Sequence, residues 1–154
     1  MLRTVVIALA LVVSAAFVAA ATGKVSAAAT GPAQIAISGQ QTGYMRVDVG
    51  RRRTSAGDME IVRYRLFNRR VSSRAIGRAE LVCTFTGTRS RVCRGTYFLP
   101  KGKLVVGGSI TFRALYELAV LGGTGLYDNA RGSMVATRIN RKPRREFLLF
   151  RLVG

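Results

Sequence analysis

The chain of 154 residues contains no histidine and no tryptophan, and only two of its residues are cysteines. Without histidine, nucleophilic mechanisms that pair Ser or Cys with His are excluded. Two cysteines alone match no zinc site of familiar spacing, and the sequence has neither a phosphate-binding nor a calcium-binding loop. We therefore predict no metal and no cofactor, and any catalysis must depend on carboxylates, arginine, tyrosine and the shape of a pocket.

Acidic residues are scarce as well. Lys and Arg total 25 against 7 Asp and Glu, which gives a formal net charge of +18. Such an excess favours polyanionic partners such as anionic lipid or acidic cell-wall polymer, although a basic surface that keeps an exported protein soluble also explains it. Nucleic acid is not expected, since Trp is absent and aromatic residues do not alternate with basic ones. The candidate residues for a polyanion contact are Arg51, Arg52, Arg53, Arg141, Arg144 and Arg145.

The chain opens with the features of a secretory signal peptide, which we predict over residues 1–27. Arg3 supplies a basic start, Val5–Ala21 is a nearly unbroken apolar run, and Val25-Ser26-Ala27 is a candidate cleavage site. A retained membrane anchor is the alternative, but the run is short for a spanning helix and is dominated by alanine. We therefore expect a secreted or extracytoplasmic protein.

Behind this leader, residues 28–43 are predicted to form a flexible lead-in with one short strand, Gln34–Ile37, and residues 44–154 to form a single domain. In that domain apolar and polar residues alternate, turn signals recur at short intervals, and no segment shows a sustained helical stripe. The candidate strands are Tyr44–Val49, Glu60–Phe67, Ala79–Thr86, Val92–Leu99, Lys103–Phe112, Leu115–Leu121, Ser133–Ile139 and Glu146–Val153. This pattern predicts an all-β sandwich or an up-and-down antiparallel barrel, whose interior can hold a ligand.

The two cysteines, Cys83 and Cys93, fall on consecutive predicted strands. If the turn between them centres on Thr88, they are directly opposite each other, which brings them close enough for a disulfide. An exported chain meets an oxidising compartment, so we predict a Cys83–Cys93 bond, with two free buried thiols as the alternative.

The segment Leu121–Gly132 carries an unusual concentration of glycine. Gly122, Gly123 and Gly125 lie between two apolar runs and permit backbone angles that are closed to other residues. We predict a sharp turn between strands at these glycines, with an arginine held at a fixed distance after it.

In its wider context this segment resembles part of the dirigent and allene oxide cyclase barrel superfamily. In Ala114–Ile139, a strand with a glutamate leads into Gly-Gly-Thr-Gly, then Ala-Arg-Gly, then another strand, as in dirigent proteins. Further similarity, to the cyclases or to both branches, lies at Gly57-Asp58, Asn68, Ile76-Gly77, Cys83, Gly95–Phe98 and Val106–Gly108. The resemblance extends over roughly Tyr44–Val153.

This resemblance implies an eight-stranded antiparallel, calycin-like β-barrel with a central pocket, assembled as a homo-oligomer, either a trimer or a dimer. It also suggests site residues. Asp48 matches an acidic residue in the first dirigent strand, Arg131 the arginine of Ala-Arg-Gly, and Glu117 the glutamate ahead of the glycines. Cys83 matches the pocket cysteine of the cyclases. The glutamate that the cyclases have in their first strand aligns near Arg46, which carries the opposite charge.

Each candidate has a chemical role and a structural alternative. Asp48 and Arg131, if both point inward, hold a phenol or carboxylate, or else satisfy each other as a purely structural pair. Glu117 acts as a general base if it is buried, or caps a neighbouring backbone group or arginine. Tyr44 and Tyr97 supply hydroxyls or stack on a ring.

The sequence thus predicts an exported dirigent-like barrel that binds a small hydrophobic or phenolic molecule and guides its conformation or coupling. One alternative is an isomerase similar to allene oxide cyclase, acting on an oxygenated lipid through a long apolar tunnel with Cys83 free. The other is a basic surface module that binds polyanions. Fold resemblance does not decide between a binding protein and an enzyme.

Overall fold

The computed structural model describes residues 34–50, 53–69 and 74–153, and their strands close into one antiparallel barrel. The strands are β1 Gln34–Val47, β2 Met59–Asn68, β3 Gly77–Phe85, β4 Arg91–Leu99, β5 Gly102–Ile110, β6 Leu115–Gly125, β7 Arg131–Arg141 and β8 Arg144–Val153. Each strand pairs with the next along the chain, and β8 pairs with β1. The predicted eight-stranded all-β barrel is confirmed.

The alternation of the sequence decides which side chains enter the barrel. In β2, Val62, Tyr64 and Leu66 are buried, whereas Arg63 and Arg65 between them are exposed. Successive residues of a strand point to opposite faces, so one set packs inside and the other meets solvent. Among the described residues no helix is long and apolar enough to cross a membrane, and the predicted signal peptide lies outside them.

Large side chains fill the middle of the barrel. The rings of Tyr97 and Phe150 meet edge to face with their centroids 5.1 Å apart. Other fully buried side chains around them are Leu66, Leu104, Val106, Leu118, Met134 and Leu148. Large inward-facing side chains are enough to fill the interior of an eight-stranded barrel. Core side chains therefore occupy the middle of the barrel, where the resemblance implied a central pocket.

The β3–β4 hairpin contains the predicted disulfide. Cys83 lies directly opposite Cys93 in the register, and the two are covalently bonded. The amide of Thr86 donates to the Ser90 carbonyl at 3.0 Å and closes the turn around Thr88. The alternative of two free thiols is wrong.

The first strand begins earlier than the sequence indicated. β1 starts at Gln34 and pairs with both β8 and β2, so residues 34–43 are barrel strand and not flexible lead-in. Small and polar residues such as these are typical of a loop, but here core packing requires a small residue. The side chains of Tyr64 and Leu148 lie 3.3 Å from the position that a Cβ of Gly39 would take, so the core closes over this glycine.

The predicted glycine turn is also displaced. Gly122, Gly123 and Gly125 all belong to β6, and the turn follows at residues 126–129. A side chain on Gly123 would collide with the backbone oxygens of Tyr127 and Lys103, and Gly125 has a φ of +65°. These glycines therefore allow the backbone of β6 to lie close to neighbouring segments and to lead into the turn, but they do not form the turn itself.

The outer face retains a short apolar row. Met45 pairs with Ile61, which in turn pairs with Val82 on the next strand. Met45 and Val82 are 51% and 39% exposed. A homo-oligomer, in which another subunit covers part of this face, stays a prediction.

Candidate ligand-binding site at the upper mouth

Charged side chains collect at one end of the barrel. We name the end where β1 finishes at Val47 the upper end, and the end where β1 begins at Gln34 the lower end. Near the upper end, buried charged residues occur in phase with the apolar inward faces of β2, β4 and β8, namely Glu60, Arg91 and Glu146. Burying charge is costly unless it is paired, so their partners define the site.

Glu60 is the centre of the first cluster. Arg91 Nε lies 2.8 Å from Glu60 Oε1, and Arg113 Nη2 lies 2.7 Å from Oε2. The Tyr44 hydroxyl also donates to Oε2, at 3.3 Å. A single buried carboxylate thus fixes two guanidinium groups and one phenol at the mouth.

Asp58 anchors the neighbouring loop. It accepts hydrogen bonds from the backbone amides of Ser55 at 2.9 Å and Val49 at 3.1 Å, and from Arg46 Nη2 at 2.8 Å. These donors, first the Ser55 amide and then the Arg46 guanidinium, hold the pKa of Asp58 far below its usual range. The β1–β2 connection is therefore tied to the end of β1, and Arg46 is held at the mouth.

Glu146 is the centre of a second cluster. It accepts from Tyr116 Oη at 3.0 Å, and from Arg144 Nε at 2.9 Å and Nη2 at 2.7 Å. Burial raises the pKa of both Tyr64 and Tyr116. Their hydroxyls consequently remain protonated at neutral pH and act as donors, not as bases.

A hollow of about 400 Å³ opens above the Glu60 cluster. Its lining residues are Tyr44, Arg46, Thr54, Phe85, Thr88, Arg89, Arg91, Thr111 and Arg113. The guanidinium carbons of Arg46 and Arg91 each lie 5.7 Å from the centroid of the Phe85 ring. The hollow therefore combines one exposed aromatic ring, that of Tyr44, with several hydrogen-bond donors, whereas the Phe85 ring is buried.

Of the predicted tyrosines, only one lies at this mouth. Tyr44 is 45% exposed and lines the hollow, and its hydroxyl contacts Glu60. Tyr97 is 1% exposed, and its ring packs against Phe150 in the core. Tyr97 therefore stabilises the barrel and does not line the hollow.

The predicted Asp48–Arg131 pair is wrong. Asp48 follows the last residue of β1 at the upper end and is exposed. Arg131 is the first residue of β7 at the lower end, also exposed, and donates to the carbonyl of Ala130 at 3.0 Å. Consecutive strands run in opposite directions, so the end of β1 and the start of β7 lie at opposite ends of the barrel.

Glu117 does not fulfil the role of a buried base. It is exposed on the outer face of β6, between the buried residues Tyr116 and Leu118.

The two basic segments that were predicted to contact polyanions lie in different surroundings. Arg51 and Arg52 lie outside the described residues, and Arg53 is exposed. In the second segment, Arg141 and Arg144 border a hollow instead of a flat surface.

The residues that sequence analysis missed share one signal. Glu60, Arg91 and Glu146 each occupy a position in phase with buried apolar residues of the same strand. A charged residue in the apolar phase of a strand predicts an inward-facing charge, and its partner must come from another strand. Among the described residues, no group of three or more His, Cys, Asp or Glu side chains is placed to hold a metal ion.

Several solved structures share the barrel fold of this chain. A pyocyanin demethylase superposes with a TM-score of 0.67 at 22% identity, covering 78% of this chain and 99% of that one. A pterocarpan synthase dirigent protein gives a TM-score of 0.59 at 19% identity, covering 76% of this chain and 84% of that one. The Diels-Alderase AbmU from Streptomyces koyangensis gives 0.58 at 12% identity, covering 79% and 69%.

These similarities establish the fold. The chain has the barrel of dirigent proteins and of related barrel cyclases, as the sequence resemblance indicated. No protein-family model matches the chain, and no curated protein matches it significantly.

Proposed function

We propose that this chain is an exported barrel that binds a small aromatic or hydrophobic molecule at its upper mouth and guides that molecule's conformation or coupling. The observation that carries the proposal is the hollow in which Tyr44 and Phe85 lie beside Arg46, Arg91 and Arg113. The exposed Tyr44 ring provides contact area, and the guanidinium groups donate to oxygen atoms of the ligand or stabilise negative charge that develops there.

The solved barrels of this fold support the proposal at the level of ligand class. Their names describe a demethylase of pyocyanin, a pterocarpan synthase dirigent protein and a Diels-Alderase, and so concern small molecules in each case. Because large side chains pack in the middle of the barrel, the proposal puts the binding site at the mouth. A rigid barrel that positions one molecule can supply orientation without a nucleophile.

Export is part of the proposal. Disulfides persist in oxidising compartments, and the Cys83–Cys93 bond is consistent with such a location. The same bond weighs against the isomerase alternative, because it removes the free thiol that this alternative predicts at Cys83. The polyanion alternative stays a prediction, and of the arginines proposed for it Arg144 is bound to Glu146.

An amide NMR titration with cinnamyl alcohol, a neutral aromatic probe, tests the proposal. We expect saturable shifts confined to the mouth, around Phe85, Arg91 and Arg113, and binding about fivefold weaker in Tyr44→Ala. Phe112→Ala is the matched control, because Phe112 is 73% exposed at the same end but does not line the hollow. Shifts spread over the outer face, or equal losses in both variants, contradict the proposal.

A further inference from the structure

A second hollow lies next to the first, and its chemistry is different. It has a volume of about 300 Å³ and is lined by Arg113, Arg138, Arg141 and Arg144. We propose that it is an oxyanion-binding pocket, which takes one carboxylate or phosphate group. For a carboxylate that belongs to the aromatic ligand, this inference rests on the proposed function; for a free anion it does not.

The backbone brings these arginines together. Arg141 and Arg144 are directly paired across the β7–β8 hairpin, and Arg138 pairs with Glu146 on the inward side. Like charges on directly opposed residues of a sheet repel each other and destabilise the pair. Glu146 already binds Arg144, so an added anion would neutralise the remaining charge of Arg141, whereas a neutral ligand would not.

The carboxylates nearby are already engaged. Glu146 binds Arg144, with Oε1 2.7 Å from Nη2, and Glu60 binds both Arg91 and Arg113. Within the described residues, no carboxylate pairs with Arg138 or Arg141 in this way. The hollow consequently carries an excess of positive charge that the protein itself does not neutralise.

Arg138 also presents an unused donor. Its Nη2 donates to the backbone carbonyl of Arg113 at 2.9 Å, which fixes the guanidinium group. Its Nε is buried and has no hydrogen-bond partner. A buried donor without an acceptor is costly, and an oxyanion in the hollow would provide the acceptor.

The geometry selects the class of ligand. A planar guanidinium group matches the paired oxygens of a carboxylate or phosphate, and several such groups around one hollow favour a compact anion. Arg113 lines both hollows, so that an aromatic acid can place its ring beside Tyr44 and its carboxylate among the arginines. A free phosphate ion has the same chemistry.

Binding of cinnamate, cinnamyl alcohol and inorganic phosphate, compared at constant ionic strength, tests the proposal. We expect cinnamate to bind about tenfold more tightly than cinnamyl alcohol, and Arg138→Gln and Arg141→Gln to abolish that preference. Arg141 is exposed, so its variant is expected to fold even if Arg138→Gln does not. Arg131→Gln is the matched control, because it removes one exposed charge at the lower end.

The outcomes separate the two sources of the anion. A cinnamate preference that depends on Arg138 and Arg141 supports a carboxylate of the ligand. Saturable phosphate binding with the same dependence, but without a cinnamate preference, supports a free anion. Absence of both, or equal losses in Arg131→Gln, overturns the pocket. Failure of cinnamyl alcohol to bind refutes the proposed function instead, and leaves the phosphate measurement unaffected.

Discussion

Glu60 and Arg91 form an ion pair in which both side chains are almost entirely buried, with Arg91 Nε 2.8 Å from Glu60 Oε1. Glu60 is the first inward-facing residue of β2, and Arg91 is the first inward-facing residue of β4. β3 lies between these two strands. Arg91 lines the hollow of about 400 Å³, and the pair lies at the boundary between the polar mouth and the apolar core. Positioning of the mouth therefore depends on a contact between two strands that are separated by β3 in the barrel.

Breaking this pair should destabilise the fold strongly. In Arg91→Ala, Glu60 remains buried with only the Arg113 guanidinium and the Tyr44 hydroxyl as partners, and we expect a loss of about 3 kcal/mol in the free energy of unfolding. Denaturant titration measures it. Arg63→Ala is the control, because Arg63 and Glu80 form an exposed pair at 3.6 Å whose loss should cost about 0.5 kcal/mol or less. Equal effects in the two variants would show that the buried pair has no special role.

The disulfide should make a comparable contribution. It closes a loop with a sequence separation of 10 residues, so that removing it should cost about 3 kcal/mol through the greater freedom of the unfolded chain. Thermal unfolding of the double variant Cys83→Ala/Cys93→Ala, compared with the oxidised parent, measures this loss. A parent that unfolds identically with and without reductant would contradict the prediction.

Stability should fall in acid because of Asp58. Its pKa is lowered in the folded state, so the ionised carboxylate stabilises the fold above its unfolded-state pKa of about 4. This contribution is lost as the pH falls below about 4 toward the folded-state pKa. We expect Asp58→Asn to be less stable than the parent at neutral pH and to lose less stability between about pH 4 and pH 2.

The control for this pH dependence is Asp128→Asn, since Asp128 is exposed in the β6–β7 turn. Its unfolding free energy should follow the parent curve throughout. If Asp58→Asn also follows the parent curve, the anchoring of the β1–β2 loop through Asp58 is not a determinant of acid stability.

The adjacent glycines Gly122 and Gly123 should respond differently to alanine. A Cβ on Gly123 would meet the backbone oxygens of Tyr127 and Lys103, whereas at Gly122 only an Arg131 guanidinium nitrogen lies near, at 3.4 Å. We expect Gly123→Ala to cost about 2 kcal/mol or more and Gly122→Ala to lie within about 0.5 kcal/mol of the parent. Matching losses at the two positions would refute the close approach at Gly123.

Much of the fold follows from local pattern. The predicted strand Val92–Leu99 differs by one residue from β4, because turn residues bound it on both sides. β1 and β6 were predicted too short, since glycine and small polar residues indicate a loop. At Gly39 and Gly123 the need for glycine arises from the close approach of other strands, which a single strand's sequence does not reveal.

The candidate site was less predictable, for a physical reason. Its charged residues come from β1, β2, β4, β7 and β8, and from Arg113 between β5 and β6, so that their contacts join segments that are not consecutive in the sequence. The direction of each strand, however, could be predicted from the sequence. An up-and-down barrel already places the end of its first strand and the start of its seventh at opposite ends, which excludes an Asp48–Arg131 pair.

Native mass spectrometry of the protein purified from its own source, before and after denaturation, tests the central claim most directly. We expect a small molecule with aromatic or hydrophobic character that remains bound to the folded protein and is released on unfolding. We also expect weaker retention of this molecule in Tyr44→Ala. A protein that is empty when purified, and stays empty after exposure to phenolic and hydrophobic probes, would contradict the assignment of the upper mouth as a ligand-binding site.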